Sequence, residues 1–285
     1  MGCRRQTGCR RPGQIALAEN NFNGRTISIV SFSSDETARA GFGPFTPGFR
    51  SVPFGHVTAL ADAIDKHTVA VLLEPIRGEA GVVVPPDHYL PAVRKICTAN
   101  NVLMIVDKIQ SGLARTGRTF ACDHWNVVPD IYLLGKALGG GVVPLSAVVA
   151  DRDILAVLHP GEHGCTFSGS PFAAAIGHTV VSMLARGEFQ DRATRLGARL
   201  LLAAAGIDRP RRSCGPWTRT VGRCRHRPRP GQRQAAQPAT ADRGVLVKDT
   251  HCSTLRFAPP LVITMSETDW AIDRFAEVLT EMAGW

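Results

Sequence analysis

Two residues stand out for what their types and placing could do. Asp107 closes the apolar run that begins at Val102 (VLMIVD), and Lys136 follows a second run, Ile131 to Leu134, after one glycine. A short apolar run bounded by turn residues suits a buried strand, and in open parallel sheets working groups collect just past the carboxyl ends of strands. A carboxylate and an amine so placed can form a structural ion pair. They can equally serve one bound molecule, the amine as nucleophile and proton carrier, the acid as a fixed counter-charge. Spacing alone leaves both open.

Elements able to hold these residues lie on either side. Ile27 to Phe32 has strand composition, Val57 to Lys66 suits a short helix, and Thr68 to Glu74 (TVAVLLE) a buried strand. His88 to Asn100 places Leu90, Val93, Ile96 and Cys97 at helical spacing, and Asp130 to Leu134 is a further strand. Pro171 to Arg186 is an apolar helix with proline in its first turn. Ser266 and Asp269 suit the start of a last helix with an apolar stripe of Trp270, Phe275 and Leu279. Strand and helix in alternation imply an α/β fold: a mostly parallel sheet with helices on both faces.

The 285 residues, 44% of them hydrophobic, are enough for about two domains with a sizeable core. No run is long enough for a membrane span, and the first residues lack the apolar core of a signal peptide. Eight cysteines without a C-x-x-C pair fit neither a zinc site nor a disulfide scaffold; reduced thiols in a cytoplasmic protein with no metal are expected. The net charge of +9 is concentrated. Residues 1–14 hold four arginines and no acid, residues 206–243 hold ten arginines against two aspartates, and the remainder is mildly acidic. A nucleic-acid surface is disfavoured, because the second segment has one aromatic, Trp217, for bases to stack on. Its five prolines argue against regular elements. It reads as an arginine-rich arm, a disordered loop or, preferred, an out-of-frame stretch, and residues 1–14 share its irregular basic character.

Five words in order, EPIRGEAG (from Glu74), DKIQSGLARTG (from Asp107), LLGKALGGG (from Leu133), GEHGCTFSGSP (from Gly161) and RFAPPLVIT (from Arg256), resemble the class III, fold type I, pyridoxal-phosphate aminotransferases. The likeness covers roughly residues 15–205 and 244–285. Within that family, GRTISIVSFSSD and GFGPFTPGF look most like the ornithine branch. The resemblance implies a partial cofactor-binding large domain at 15–186 and a small C-terminal α+β domain at 187–285, interrupted by 206–243. It also implies that an N-terminal part is missing. Family members carry a long segment ahead of the point matched by Gln14, including a Gly/Ser/Thr-rich turn for the cofactor phosphate that has no counterpart here.

By the same resemblance, Lys136 is the lysine that carries pyridoxal 5'-phosphate as a Schiff base and moves the substrate proton; burial would help to deprotonate it. Asp107 matches the carboxylate set against the pyridine nitrogen, Gln110 the amide at the phenolic oxygen, and Phe22 the ring stacked on the cofactor. Arg25 matches a reader of the substrate carboxylate. Thr166 matches a threonine that reaches the phosphate of a neighbouring subunit, which implies a homodimer. Glu79 and Arg256 match a pair in which the glutamate withholds the arginine from a diamine and releases it to a dicarboxylate. Without the family, Phe22 is ordinary core, Gln110 and Arg25 are surface, and Glu79 with Arg256 is a plain salt bridge. The implied activity is transfer of the δ-amino group of ornithine to 2-oxoglutarate; the alternative is an inactive remnant, or a subunit that works only beside a chain supplying the missing part. Four residues depart from the family's usual choice: Lys108 for glutamate, Ser170 for asparagine, Cys165 for serine and Ala114 for glycine. Neighbouring side chains of an extended strand point to opposite faces, so Lys108, next to Asp107, need not touch the cofactor, although it could still reverse the charge of a more distant contact.

Overall fold

The structure, a computed structural model, describes residues 13–206, 212–214, 222–226, 236–250 and 254–281. These fall into two compact units. The first comprises residues up to Pro75, Pro85–Leu113 and Phe120–Met183; the second comprises Ile76–Val84, Ala114–Thr119 and residues from Leu184 onward.

The first unit is built on six strands: β1 (Gln14–Ala18), β2 (Phe49–Val52), β3 (Thr68–Leu73), β4 (Leu103–Asp107), β5 (Ile131–Leu134) and β6 (Ala147–Ala150). Their order across the sheet is β2-β1-β3-β4-β5-β6, parallel throughout except for β6, which runs antiparallel to β5. Around it lie the short helices α1 (Ile27–Val30) and α2 (Glu36–Arg39), then α3 (Val57–Ala63), α4 (Tyr89–Ala99), α5 (Arg152–Leu155) and α6 (Pro171–Ala185), whose last two residues belong to the second unit.

Two apolar clusters, one on each face, fix which way each strand residue points. Val71, Leu73, Met104 and Val106 join Leu90, Val93 and Cys97 of α4 on one side. Ala70, Leu72 and Ile105 join Leu17, Phe32 and Ile154 on the other. Because side chains alternate along a strand, this register sends Asp107 to the face of Ile105 and Lys108 to the face of Val106. Cys97 is sealed in the first cluster, and burial pushes its thiol up to about 12.

The second unit holds a four-stranded antiparallel sheet in the order β7 (Arg212–Cys214), β8 (Gly222–His226), β10 (Thr254–Phe257), β9 (Lys248–Thr250). Its helices are α7 (Glu188–Gly206), α8 (Ala236–Ala241) and α9 (Met265–Glu281). Val245, Val247 and Leu255 pack on Phe275 and Leu279, the inner face of α9.

Three expectations need correction. Ile27 to Phe32 is not a strand: α1 begins there, with Val30 N donating to Thr26 O at 2.8 Å and Ser31 Oγ to Ile27 O at 2.7 Å. The β-branched run misled because Phe32 is drawn down onto Phe49, ring centroids 4.7 Å apart, and packing overrides local preference. Residues 206–243 are not wholly irregular, since β7, β8 and α8 lie within them. Pro210, Pro216, Pro228 and Pro230 fall outside those strands, and Pro238 sits in the first turn of α8, where a missing N–H is harmless. The last helix is capped two residues earlier than Ser266 and Asp269 suggest. Thr264 N donates to Glu267 Oε2 at 2.7 Å and Glu267 N to Thr264 Oγ1 at 3.2 Å, while Asp269 pairs with Arg199. Of the basic N-terminal segment, residues 1–12 lie outside the described residues, and Gln14 already belongs to β1. Residues 207–211, 215–221 and 227–235, on which the proposed frame and disorder also fall, are likewise outside them.

Candidate active site

The carboxyl ends of β1, β3, β4 and β5, neighbours in that order, carry the candidate groups of the first unit: Phe22 and Asn23, Glu74, Asp107 and Lys136. Asp107 is 4% exposed, with one oxygen accepting from Ile109 N at 2.8 Å and the other from Asn23 Nδ2 at 2.7 Å. Burial pushes its pKa above the usual carboxylate range. The two hydrogen bonds and the charges of Lys136 and Lys108 pull it back only in part. A buried carboxylate under-compensated in this way is suited to receive a cationic N–H from a bound molecule. Asn23 was not singled out by sequence reasoning, although it stands inside the same NNFNGRT word as Phe22 and Arg25. Glu74 was missed too: it is buried, and its Oε1 accepts from Phe22 N at 3.0 Å, so the acid ending β3 anchors the loop that carries the Phe22 ring.

Lys136 opens a single 3-10 turn, Lys136–Gly139, with φ at +46°. This left-handed backbone is uncommon for a residue with a side chain and is a form of strain often found where a side chain must be aimed. The side chain is exposed. α6 packs beside the turn: a Cβ at Gly177 would stand 2.7 Å from Leu145 Cδ2 and 4.0 Å from Leu138 O. Lys136 and Asp107 belong to one unit, at the ends of adjacent strands, and each feels the other's charge.

The deeply buried amine is instead Lys108. Its side chain is 1% exposed, faces away from Asp107 as the alternation requires, and leaves Nζ buried without a hydrogen-bond partner. Desolvation lowers its pKa, against which the Cys122 thiol acts most strongly, then Asp123 and Asp107. Gly112 sits over this residue: a Cβ at 112 would lie 2.5 Å from Lys108 O, so no other residue fits there. Ala114, which stands where the family prefers glycine, has φ at +71° and is fully buried.

Of the remaining candidates in this unit, Phe22 and Gln110 are half-buried and Thr166 is exposed. The Arg25 guanidinium carbon lies 5.2 Å from the centre of the Phe22 ring and Arg25 Nη1 lies 3.8 Å from Asp35, with 58% of the side chain exposed. The second unit brings its own pair together. Arg256 Nη1 donates to Glu79 Oε1 at 2.7 Å, and Lys248, not foreseen, reaches Glu79 Oε2 at 3.4 Å. The Arg256 side chain is 12% exposed, so this contact is far drier than an ordinary surface bridge. Gly81 sits beside it with φ at +93°, its virtual Cβ 3.3 Å from Thr254 Oγ1. Among the described residues no group of acidic, histidine or cysteine side chains is arranged for a metal, and no helix is long and apolar enough to cross a membrane.

The first unit is thus a mostly parallel α/β sheet with a buried acid and an exposed lysine of left-handed backbone at the carboxyl ends of adjacent strands. The comparisons make the class specific. Residues 2–279 match the family "Aminotransferase class-III", and the chain belongs to that family. It is 45% identical over 275 residues to an ornithine aminotransferase of Brevibacillus brevis, covering 93% of this chain and 66% of that protein. A crystal structure of the ornithine aminotransferase from Toxoplasma gondii superposes with a TM-score of 0.93 at 38% identity, covering 97% of this chain and 66% of that one. A second structure of the Toxoplasma enzyme (TM-score 0.91, 38% identity, 97% and 66% covered) is described as having PLP partially occupying its active site. The chain thus spans just under two thirds of the length of these relatives.

Proposed function

We propose that this chain is the larger part of a pyridoxal-phosphate-dependent ornithine aminotransferase, transferring the δ-amino group of ornithine to 2-oxoglutarate. The observation that carries the reading is the Asp107 carboxylate, buried and under-compensated, one strand away from Lys136. When bound, the cofactor supplies a conjugated ring that takes up the electron pair left on the substrate carbon. Asp107 would hold the ring nitrogen, with Asn23 and the Ile109 amide orienting its carboxylate. The Lys136 amine would hold the cofactor and could serve as the base that moves the substrate proton. The Phe22 ring, whose backbone N–H is anchored on Glu74, and Gln110 would help to hold the cofactor, and Arg25 would read a substrate carboxylate.

Glu79 supplies the means of handling two unlike substrates. Paired with Glu79, the Arg256 fork is engaged and presents no free cation to a diamine; a dicarboxylate competes for the same guanidinium and releases it. In this reading Thr166 serves the cofactor phosphate of a second subunit in a cytoplasmic homodimer. A second reading is an inactive remnant, or a subunit that works only beside a chain supplying the remaining third of such an enzyme. The test of both is a titration of the protein with pyridoxal phosphate. The cofactor should bind covalently and give visible absorption, lost in Lys136→Ala and trapped by borohydride reduction on Lys136. Absorption that persists in Lys136→Ala would refute the assignment, and absorption that needs an added second polypeptide would select the second reading.

A further inference from the structure

Lys108 and Cys122 form a reactive pair that the proposed chemistry does not use. Lys108 lies one residue beyond β4, and its side chain takes the Val106 face of the sheet, the face on which Cys122 is packed with Val106 and Met104. Both are sealed from solvent, the lysine at 1% exposure and the cysteine at 0%. Nζ has no hydrogen-bond partner there, and the group that acts on it most strongly against its desolvation is the Cys122 thiol, ahead of Asp123 and Asp107. The Cys122 thiol itself donates to Asp123 Oδ1 at 3.7 Å.

Cys97, in the same apolar cluster, shows an inert arrangement. The cation acting on it, Arg94, is paired with Asp130 at 2.7 Å, and a guanidinium has no lone pair to give. Lys108 differs in kind. Desolvation disfavours its ammonium, so the uncharged amine, a base and a nucleophile, is more populated than in a solvated lysine. The sulfur is also close to water in the chain. Cys122 belongs to a single 3-10 turn, Ala121–Trp125, beside exposed His124 and Asn126. The bonds from Asn126 N to Asp123 O and from Val127 N to Cys122 O are both long, at 3.3 Å. Opening this one turn admits a molecule the size of water.

We propose that Lys108 and Cys122 are a modification site that responds to hydrogen peroxide by closing a reversible sulfenamide bond between Nζ and Sγ. The neutral amine takes the thiol proton. The thiolate then attacks one oxygen of the peroxide, the O–O bond breaks, and the departing hydroxide takes the proton back from the ammonium and leaves as water. The sulfur, now a sulfenic acid, has given two electrons to the peroxide. The Nζ lone pair attacks this sulfur, the S–O bond breaks, and the hydroxide leaves with an amine proton as a second water. One thiol, one amine and one peroxide thus give one S–N bond and two waters. A small thiol reverses the step: its sulfur displaces the amine to form a mixed disulfide, and a second thiol frees Cys122. The bond ties the residue that follows Asp107 to the 3-10 turn and shields the sulfur from further oxidation. The proposal does not depend on the ornithine reading, and its test uses neither cofactor nor catalysis.

The experiment is a tryptic peptide map of the full chain after treatment with hydrogen peroxide, raised until the exposed Cys165 is oxidised. Cleavage after Arg115 and Arg118 parts the two residues, so a bond between them appears as a linked pair of peptides. The pair should be lighter than the sum of its two peptides by two hydrogens, and dithiothreitol should return it to the separate peptides. Cys97 should remain a thiol. Lys108→Met, Lys108→Arg and Cys122→Ser should each abolish the link, with urea midpoints showing that the variants are folded. Peroxide treatment of the protein already unfolded in urea should give no link either, because the folded core brings the two groups together. Oxidised Cys165 without a linked pair, a linked pair heavier by an oxygen, or Cys122 recovered as a sulfinic acid or in a disulfide would overturn the proposal. So would a link formed equally well in the unfolded chain.

Discussion

Lys108→Met tests the central electrostatic claim, because it separates the buried amine from the functional one. In the wild-type protein the Lys108 amine is buried on the Val106 face, its Nζ with no partner within hydrogen-bond geometry and the Cys122 thiol the group that most opposes its desolvation. Its nearest compensating group, the Cys122 thiol, is itself kept neutral, because burial raises its pKa. Replacing an unpaired buried charge by an apolar side chain of similar length removes the desolvation penalty and keeps the volume, so stability should rise by about 1–4 kcal/mol at neutral pH. The sign of the pH dependence follows from linkage. Lys108 has a folded-state pKa below the ordinary lysine value of about 10.5, so between those two values the unfolded chain binds more protons and wild-type stability increases with pH. The advantage of Lys108→Met should therefore be full at pH below the folded-state pKa and shrink as pH approaches about 10.5. Urea unfolding of both proteins at several pH values, with midpoints converted through a common slope, reads this directly. A variant less stable than wild type, or one whose advantage does not change with pH, would refute the picture of an uncompensated buried ammonium. Cofactor binding should be nearly unaffected, since Lys108 and Asp107 point to opposite faces.

Two further substitutions probe the loops around the site. Asn23→Ala removes the 2.7 Å donor from Asp107 Oδ2, and loss of a hydrogen bond to a charged group, about 1.5–3 kcal/mol, should weaken pyridoxal-phosphate binding roughly 10- to 100-fold in a fluorescence titration. The carboxylate pKa is already raised, so the defect should deepen as pH falls toward that pKa and lessen above it; affinity within twofold of wild type across pH would count against Asn23 as the residue that keeps Asp107 ionised. Ala114→Gly should stabilise the protein by about 0.5–1 kcal/mol, relief of the left-handed strain less the extra entropy of glycine, measured as a higher urea midpoint; an unchanged or lower midpoint would show that the fully buried Ala114 methyl contributes packing worth more than the strain.

What could be read without coordinates follows from the reach of each signal. Thr68 to Leu73 and Leu103 to Asp107 announce themselves because interior strands of a parallel sheet are apolar on both faces, and Asp107 and Lys136 because a charged residue at the end of such a run is conspicuous. β1, β2 and β6 are four or five residues long and carry Gln14, Arg50 and Ser51 or only small apolar residues, too little periodicity to separate from loop. The contacts that complete the site are invisible for a different reason. Asn23 meets Asp107 across 84 positions and Arg256 meets Glu79 across 177, distances at which only the folded topology decides which polar group meets which. The burial of Lys108 shows where this matters most. Strand alternation was enough to turn it from Asp107, but only the packing of Cys122 and α4 on that face shows that it turns into the core rather than into water.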